Sequence, residues 1–249
     1  MALRNPGGAW HYLLHSRELT NFTYELANES EIAEFVGGAL GTGPDTVSAL
    51  LGELGTDEEL MNELRQGLRR RALANREPLL GKRRALYCVV RMIRPGVIVE
   101  SGVKDGLGSA VILRALERNE AEGYPGMLLG FDIDPDAGWL VDWRARPEHQ
   151  SLFIGDVRDT LEPVLEENGV DLFINDSLHV YDHERFEFET AARYRRSSRL
   201  VLYCDDASVT PALEEACRGL GGRSRRMKEV PKDHYWRGNE IALCVVDGP

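Results

Sequence analysis

The chain has 249 residues, 43% apolar and 29% charged, the balance of an ordinary soluble globular protein. Its 41 acidic and 30 basic side chains give a formal charge of −11, a field that repels phosphate backbones and disfavours nucleic-acid partners. No apolar run reaches the length of a membrane span, and Trp10, His11, His15 and Arg17 interrupt any signal-like pattern, so a cytoplasmic location without membrane association is expected.

The basic clusters Arg193 to Arg199 and Arg223 to Lys228 read as solvated ends of elements rather than a groove for nucleic acid. A small-molecule partner is the expectation. Cys88, Cys204, Cys217 and Cys244 are scattered with no C-x-x-C pair, which predicts buried, reduced thiols and neither a zinc site nor a disulfide framework.

In chain order, an aromatic-rich stretch from Trp10 to Leu26 comes first, too apolar for a free tail and suited to packing on the main domain, capping its pocket or making a subunit contact. Helical patterns follow at Ser30 to Leu40, Pro44 to Leu54, and Asp57 to about Leu73. Thr56 and Glu59 have capping-box spacing, and Pro44 suits a first helical turn. Residues 1–80 thus read as a helical extension, a lid or an oligomerisation region, and a homo-oligomer is expected.

From Lys82 the pattern alternates, and residues 81–249 read as one domain. A helix over Lys82 to Ile93 leads to the strand Val97 to Glu100, the helix Leu107 to Asn119 and the strand Met127 to Asp132. Then come the strand Leu152 to Ile154, a helix over Val157 to Asn168, the strand Asp171 to Asp176, and a helix from about His183 to Arg195. The strand Leu200 to Cys204, the helix Pro211 to Leu220, and a final pair at Arg226 to Val230 and Ile241 to Val246 complete the chain. Short apolar strands alternating with amphipathic helices predict an α/β fold: a doubly wound, mostly parallel seven-stranded sheet, Rossmann-like, with the N-terminal helices added. Such sheets bind ligands at the C-terminal ends of their strands, near the reversal of strand order.

Those ends carry the polar residues. Glu100-Ser101-Gly102-Val103-Lys104-Asp105-Gly106-Leu107-Gly108 follows the first strand, and its glycines allow a tight turn and close ligand approach. The spacing G-x-x-x-G-x-G differs from the G-x-G-x-x-G of dinucleotide binders, and no Tyr-x-x-x-Lys pair occurs at Tyr181, so an NAD(P)-dependent oxidoreductase is the weaker reading. Asp132 ends the second strand, where a carboxylate can accept both hydroxyls of a ribose. Asp156, after the third, can face an adenine amino group or cap a helix.

Together these residues resemble the class I S-adenosylmethionine (SAM)-dependent methyltransferase pattern over roughly residues 82–249. The resemblance implies that Glu100, Gly102, Gly106, Gly108 and Asp176 surround SAM, with Asp132 at its ribose and Asp156 at its adenine.

Asp176 closes the fourth strand, His179 follows three residues on, and Asp205-Asp206 ends the fifth. Carboxylates at adjacent strand ends repel unless protonated or bridged by a cation, and oxygen ligands suit Mg²⁺ or Mn²⁺. This part resembles metal-dependent O-methyltransferases of the catechol and actinobacterial sugar or macrolide type. It implies a metal at Asp176, Asp205 and Asp206, with His179 as general base for O-methylation of a hydroxyl on a small natural product. Ser101, Leu178 and Arg196-Ser197-Ser198 depart from that pattern. Tyr181 and His183 are secondary candidates, with His183 expected to cap or face solvent; His234 to Arg237 is expected to form an exposed hairpin or subunit contact. Three alternatives remain: a metal-independent N- or O-methyltransferase, the oxidoreductase, and a non-catalytic nucleotide-binding protein.

Overall fold

The computed structural model describes residues 23–71, 77–234 and 236–248. Seven strands form one sheet: β1 (Val97–Ser101), β2 (Met127–Asp132), β3 (Gln150–Ile154), β4 (Leu172–Asn175), β5 (Arg199–Cys204), β6 (Arg223–Lys228) and β7 (Glu240–Asp247). Their order is β3-β2-β1-β4-β5-β7-β6. The first five run parallel, and β7 lies antiparallel between β5 and β6, so the sheet is mixed at one edge as a terminal hairpin requires. This is the α/β, Rossmann-like architecture expected from the alternation.

The helices among the described residues are α1 (Glu31–Leu40), α2 (Pro44–Gly55), α3 (Glu58–Leu68), α4 (Arg83–Ile93), α5 (Leu107–Ala121), α6 (Val157–Asn168), α7 (Tyr181–Arg193) and α8 (Ala212–Gly219). The period-2 geometry of the strands sorts their side chains into two cores. Ile98, Leu128, Leu172, Ile174, Val201 and Leu243 face α1 to α5, whereas Val97, Val99, Leu129, Phe173, Leu202 and Cys244 face α6 to α8. The N-terminal helices therefore share a core with α4, α5 and one face of the sheet. Both faces of β1 are covered, which is why VIVES is buried throughout.

Local expectations meet several corrections. Pro44 does open α2, but α3 is capped by Asp57, whose carboxylate accepts the Leu60 N–H at 3.0 Å, and not by Thr56. Asp57 is also held by Arg114 and Arg118 of α5, a tertiary reason that the spacing of Thr56 and Glu59 does not contain. Cys217 and Cys244 form a disulfide joining α8 to β7, contrary to the expectation of reduced thiols, because packing of α8 on the sheet brings their Cα atoms to 5.8 Å despite a sequence separation of 27. Cys88 and Cys204 are free and buried.

The expected packing segment Trp10 to Leu26 lies outside the described residues up to residue 22. From there Tyr24 and Leu26 are buried, and Ala27 N–H donates to the Val230 carbonyl. The Tyr24 ring meets those of His234 and Trp236, with centroids 5.7 and 5.2 Å apart. His234 and Trp236 are thus half-buried against Tyr24, while Arg237 stays exposed: the chain before α1 and the β6–β7 connection partly cover each other. No described helix is long and apolar enough to cross a membrane.

Candidate active site

The chain runs outward from β1 to β2 and β3, then returns to place β4 on the other side of β1. The strand ends on either side of that reversal diverge, leaving a cleft above the sheet. Its walls include Lys82, Arg83, Glu100, Gly102, Asp105, Gly108, Asp176 and Tyr203. Of the residues singled out in the sequence, Glu100, Gly102, Gly108 and Asp176 therefore converge here.

The β1 turn is built for close approach. Gly102 has φ +91°, and a Cβ there would overlap the Asp176 carbonyl. Gly108 leaves room for the Glu100 carboxylate, which accepts a hydrogen bond from Ser109 at the start of α5. Burial raises Glu100 to a pKa of about 8, against the opposing effect of Ser109. Gly106, with φ +88°, does not line the cleft and instead packs against the Gly138 backbone. Asp132 accepts the N–H groups of Lys104 and Asp134 at 2.7 and 2.9 Å, tying β2 to the β1 turn. Asp156 is exposed and caps α6, accepting the Arg158 N–H at 2.9 Å. Neither Asp132 nor Asp156 lines the cleft; they stand along the ends of β2 and β3, beside the exposed Ile133 and Ile154.

At the β4 and β5 ends, Asp176 and Asp205 both face the Lys82 ammonium. Nζ lies 3.2 Å from Asp176 Oδ2 and makes a closer ion pair with Asp205 Oδ2. Lys82 precedes α4 and is buried, so its charge is held up by these carboxylates against the cost of burial. Burial likewise disfavours the charge on Asp205, but Lys82 outweighs it and keeps that carboxyl below the usual range. Asp176 goes the other way, raised by burial and by the neighbouring Asp205 charge. One carboxylate thus takes most of the ammonium's field, and its neighbour is left under-compensated.

His179 sits in the β4–α7 loop with Nδ1 3.0 Å from Glu184 Oε1 and Nε2 3.7 Å from Asp206 Oδ2. Burial lowers its basicity, but the Glu184 hydrogen bond and the charges of Asp206, Asp176 and Asp205 leave the pKa above 6.5. Glu184 is itself buried and accepts from Thr210. His183, expected to cap or face solvent, is buried, with Nε2 3.6 Å from Glu187 Oε1. It points inward because α7 packs that side against the sheet. Tyr181 begins α7 and donates to Glu215 at 2.6 Å, away from His179's partners.

Lys82, Asp105, Glu184 and Glu187 were not singled out by the sequence. Glu187 is fully buried and accepts from Ser101, Asn175 and Ser177, joining the ends of β1 and β4 to α7. In the pattern ERFEFE it is indistinguishable from a solvated helix acid. Lys82 did leave a trace: Lys82-Arg83-Arg84 crowds cations at a helix N-terminus, where the macrodipole disfavours them, so acidic partners had to come from elsewhere.

Asp105 Oδ2 is buried in the cleft wall without a hydrogen-bond partner, and with Glu100 and Asp176 it offers acceptors to the ammonium and sulfonium of SAM, while Lys82, Arg83 and Lys104 line the same cleft. For a divalent metal, Asp176, His179 and Asp205 each offer a ligand atom within 4.8 Å of the others, whereas Asp206 is not in that group. The same space holds the Lys82 ammonium. A divalent ion about 4 Å from an ammonium is repelled by about 8 kcal/mol at an effective dielectric of about 20. The donors fit a metal only without that ammonium.

Comparison with known proteins agrees with this geometry. Residues 99–207 match the Methyltransf_24 family, described as a methyltransferase domain. No curated protein matches the chain by sequence. Among solved structures, the O-methyltransferase TomG from Streptomyces achromogenes, in complex with SAM, aligns with TM-score 0.52 at 16% identity, covering 76% of this chain and 90% of that one. A methyltransferase from Geobacter sulfurreducens aligns with TM-score 0.50 at 18% identity, covering 76% and 90%. The methyltransferase PaMTH1 from Podospora anserina, bound to SAH, aligns with TM-score 0.50 at 12% identity, covering 74% and 86%. At these identities the likeness establishes the fold.

Proposed function

We propose that the chain, whose residues 99–207 match a methyltransferase-domain family, is a class I SAM-dependent methyltransferase that methylates a hydroxyl group on a small natural product, a sugar- or polyol-bearing metabolite. The observation that carries this reading is the juxtaposition of a cleft at the β1–β4 reversal, lined by Glu100, Asp105 and Asp176 together with Lys82, Arg83 and Lys104, with a histidine held by a buried carboxylate.

In this reading Glu100, Asp105 and Asp176 receive the charged methionine end of SAM, and Gly102 and Gly108 keep the turn low beneath it. Asp132 takes the ribose. Asp156 and the exposed faces of Ile133 and Ile154 take the adenine. When bound, SAM supplies a methyl group on a positively charged sulfur. Glu184 fixes His179 through Nδ1 and leaves Nε2 to accept the proton of the acceptor hydroxyl. As the O–CH₃ bond forms and the S–CH₃ bond breaks, the proton rests on His179, between the carboxylates of Glu184 and Asp206. Leu178 and Val180, both exposed beside His179, offer apolar contact to the acceptor's carbon skeleton. Residues 1–80, whose helices α1 to α3 share a core with α4 and α5, are assigned to acceptor selection and to contacts in a cytoplasmic homo-oligomer.

Between metal-assisted and metal-independent transfer, the position of Lys82 favours the second, and no step here passes through Mg²⁺ or Mn²⁺. The experiment is calorimetric titration with SAM and with NADH, followed by transfer of isotopically labelled methyl from SAM to a panel of sugar, polyol and catechol hydroxyls. Binding of SAM alone is expected, with label found on oxygen and lost in His179→Ala. Binding of NADH instead, or label found on nitrogen, sinks the reading.

A further inference from the structure

Two carboxylates at the ends of neighbouring strands need a proton or a positive charge between them. In this chain the charge comes from 94 and 123 residues away, on a side chain that precedes α4. Lys82 is 8% exposed, and its carbon stem is buried with the ammonium, so the group is not a surface lysine that has folded inward. Asp205 presents one oxygen to Lys82, while its other oxygen, Oδ1, is buried without a hydrogen-bond partner. The centre therefore has a filled cation position and, beside it, a buried carboxylate oxygen that the ammonium does not reach.

We propose that the Lys82 ammonium is the resident cation of this centre, standing where a divalent ion would bind and excluding it, and that it orients Asp176 and Asp205 without added metal. The inference rests on the methyltransferase reading for its purpose but not for its geometry. As a positioning residue, Lys82 fixes the carboxylate of Asp176 at the junction between the cleft and the His179 loop.

The test is titration of the full chain with Mn²⁺, followed by electron paramagnetic resonance, on the unaltered protein and on Lys82→Met and Lys82→Arg. The expected result is no stoichiometric binding by the unaltered protein or Lys82→Arg. Lys82→Met should bind one Mn²⁺ at least tenfold more tightly and lose it in Lys82→Met/Asp205→Asn. Stoichiometric binding to the unaltered protein that is weakened by Asp205→Asn overturns the proposal, even if Lys82→Met fails to fold. A folded Lys82→Met that takes up no Mn²⁺ also overturns it, because the carboxylates then form no cation centre. SAM affinity, measured in parallel on the unaltered protein, separates this outcome from failure of the methyltransferase reading: loss of the metal prediction leaves SAM binding intact.

Discussion

Gly102 and Asp176 are locked backbone to backbone: at φ +91° residue 102 has no room for a Cβ beside the Asp176 carbonyl. Contact between the β1 turn and the β4 end fixes the floor of the cleft, and the Asp176 N–H donation to the Ser101 carbonyl at 2.8 Å secures it from the other side. Gly102→Ala should combine a strained left-handed residue with a clash against main chain, costing about 2–4 kcal/mol. Denaturant unfolding measures that cost, and SAM titration measures its effect on the cleft. An alanine variant with unchanged stability and SAM affinity would contradict this account of the turn.

His179 should control the rise of activity with pH. Its imidazole must be neutral to take a proton, and its neighbours raise its pKa above 6.5 despite burial. The rate should therefore climb through a midpoint above 6.5 and level off at higher pH. Glu184→Gln removes the foremost contribution raising that pKa, so the midpoint should move down, while His179→Ala should cost about 10²–10⁴-fold in kcat. A pH–rate profile of each variant reads this directly, and an unmoved midpoint in Glu184→Gln removes the pairing from the mechanism.

Cofactor binding should release protons through Glu100. With a pKa of about 8 the carboxyl is mostly protonated at pH 7, and a cation placed against it favours ionisation. Calorimetry at pH 7 in buffers of different ionisation enthalpy should show a net release that disappears in Glu100→Gln. The same shift sets a stability trend. The folded pKa lies above the unfolded value of about 4.5, so this group's contribution is complete below pH 4.5 and is lost as pH rises towards 8. Glu100→Gln should flatten that part of the stability curve.

Glu187 should matter to stability as much as to activity. It accepts hydrogen bonds from Ser101, Asn175 and Ser177 in a site closed to water. Glu187→Ala strands those donors and should cost about 2–4 kcal/mol in urea unfolding. A loss no larger than that of the exposed Glu189→Ala control would show that the network carries no weight.

The Cys217–Cys244 bridge closes a loop of 27 residues. Such a closure is worth about 3–4 kcal/mol through the unfolded chain. Reduction, or Cys217→Ser with Cys244→Ser, should lower the unfolding midpoint in denaturant, whereas thiol blocking of Cys88 and Cys204 in the folded protein should be slow because both are buried. Identical midpoints with and without reductant would refute the expectation.

By itself the sequence determined the alternating α/β order, the strands on which Asp132, Asp176 and Asp205 end, and the glycines of the first turn. Each is a local signal, readable from period, punctuation and a polar residue following an apolar run. Only the tertiary structure decided that Asp156 caps a helix, that Cys217 meets Cys244, that Glu184 and Glu187 are buried, and that Lys82 pairs with both Asp176 and Asp205. Those outcomes depend on which elements pack across the sheet, and helix acids and lysines look alike in sequence until packing removes some of them from water.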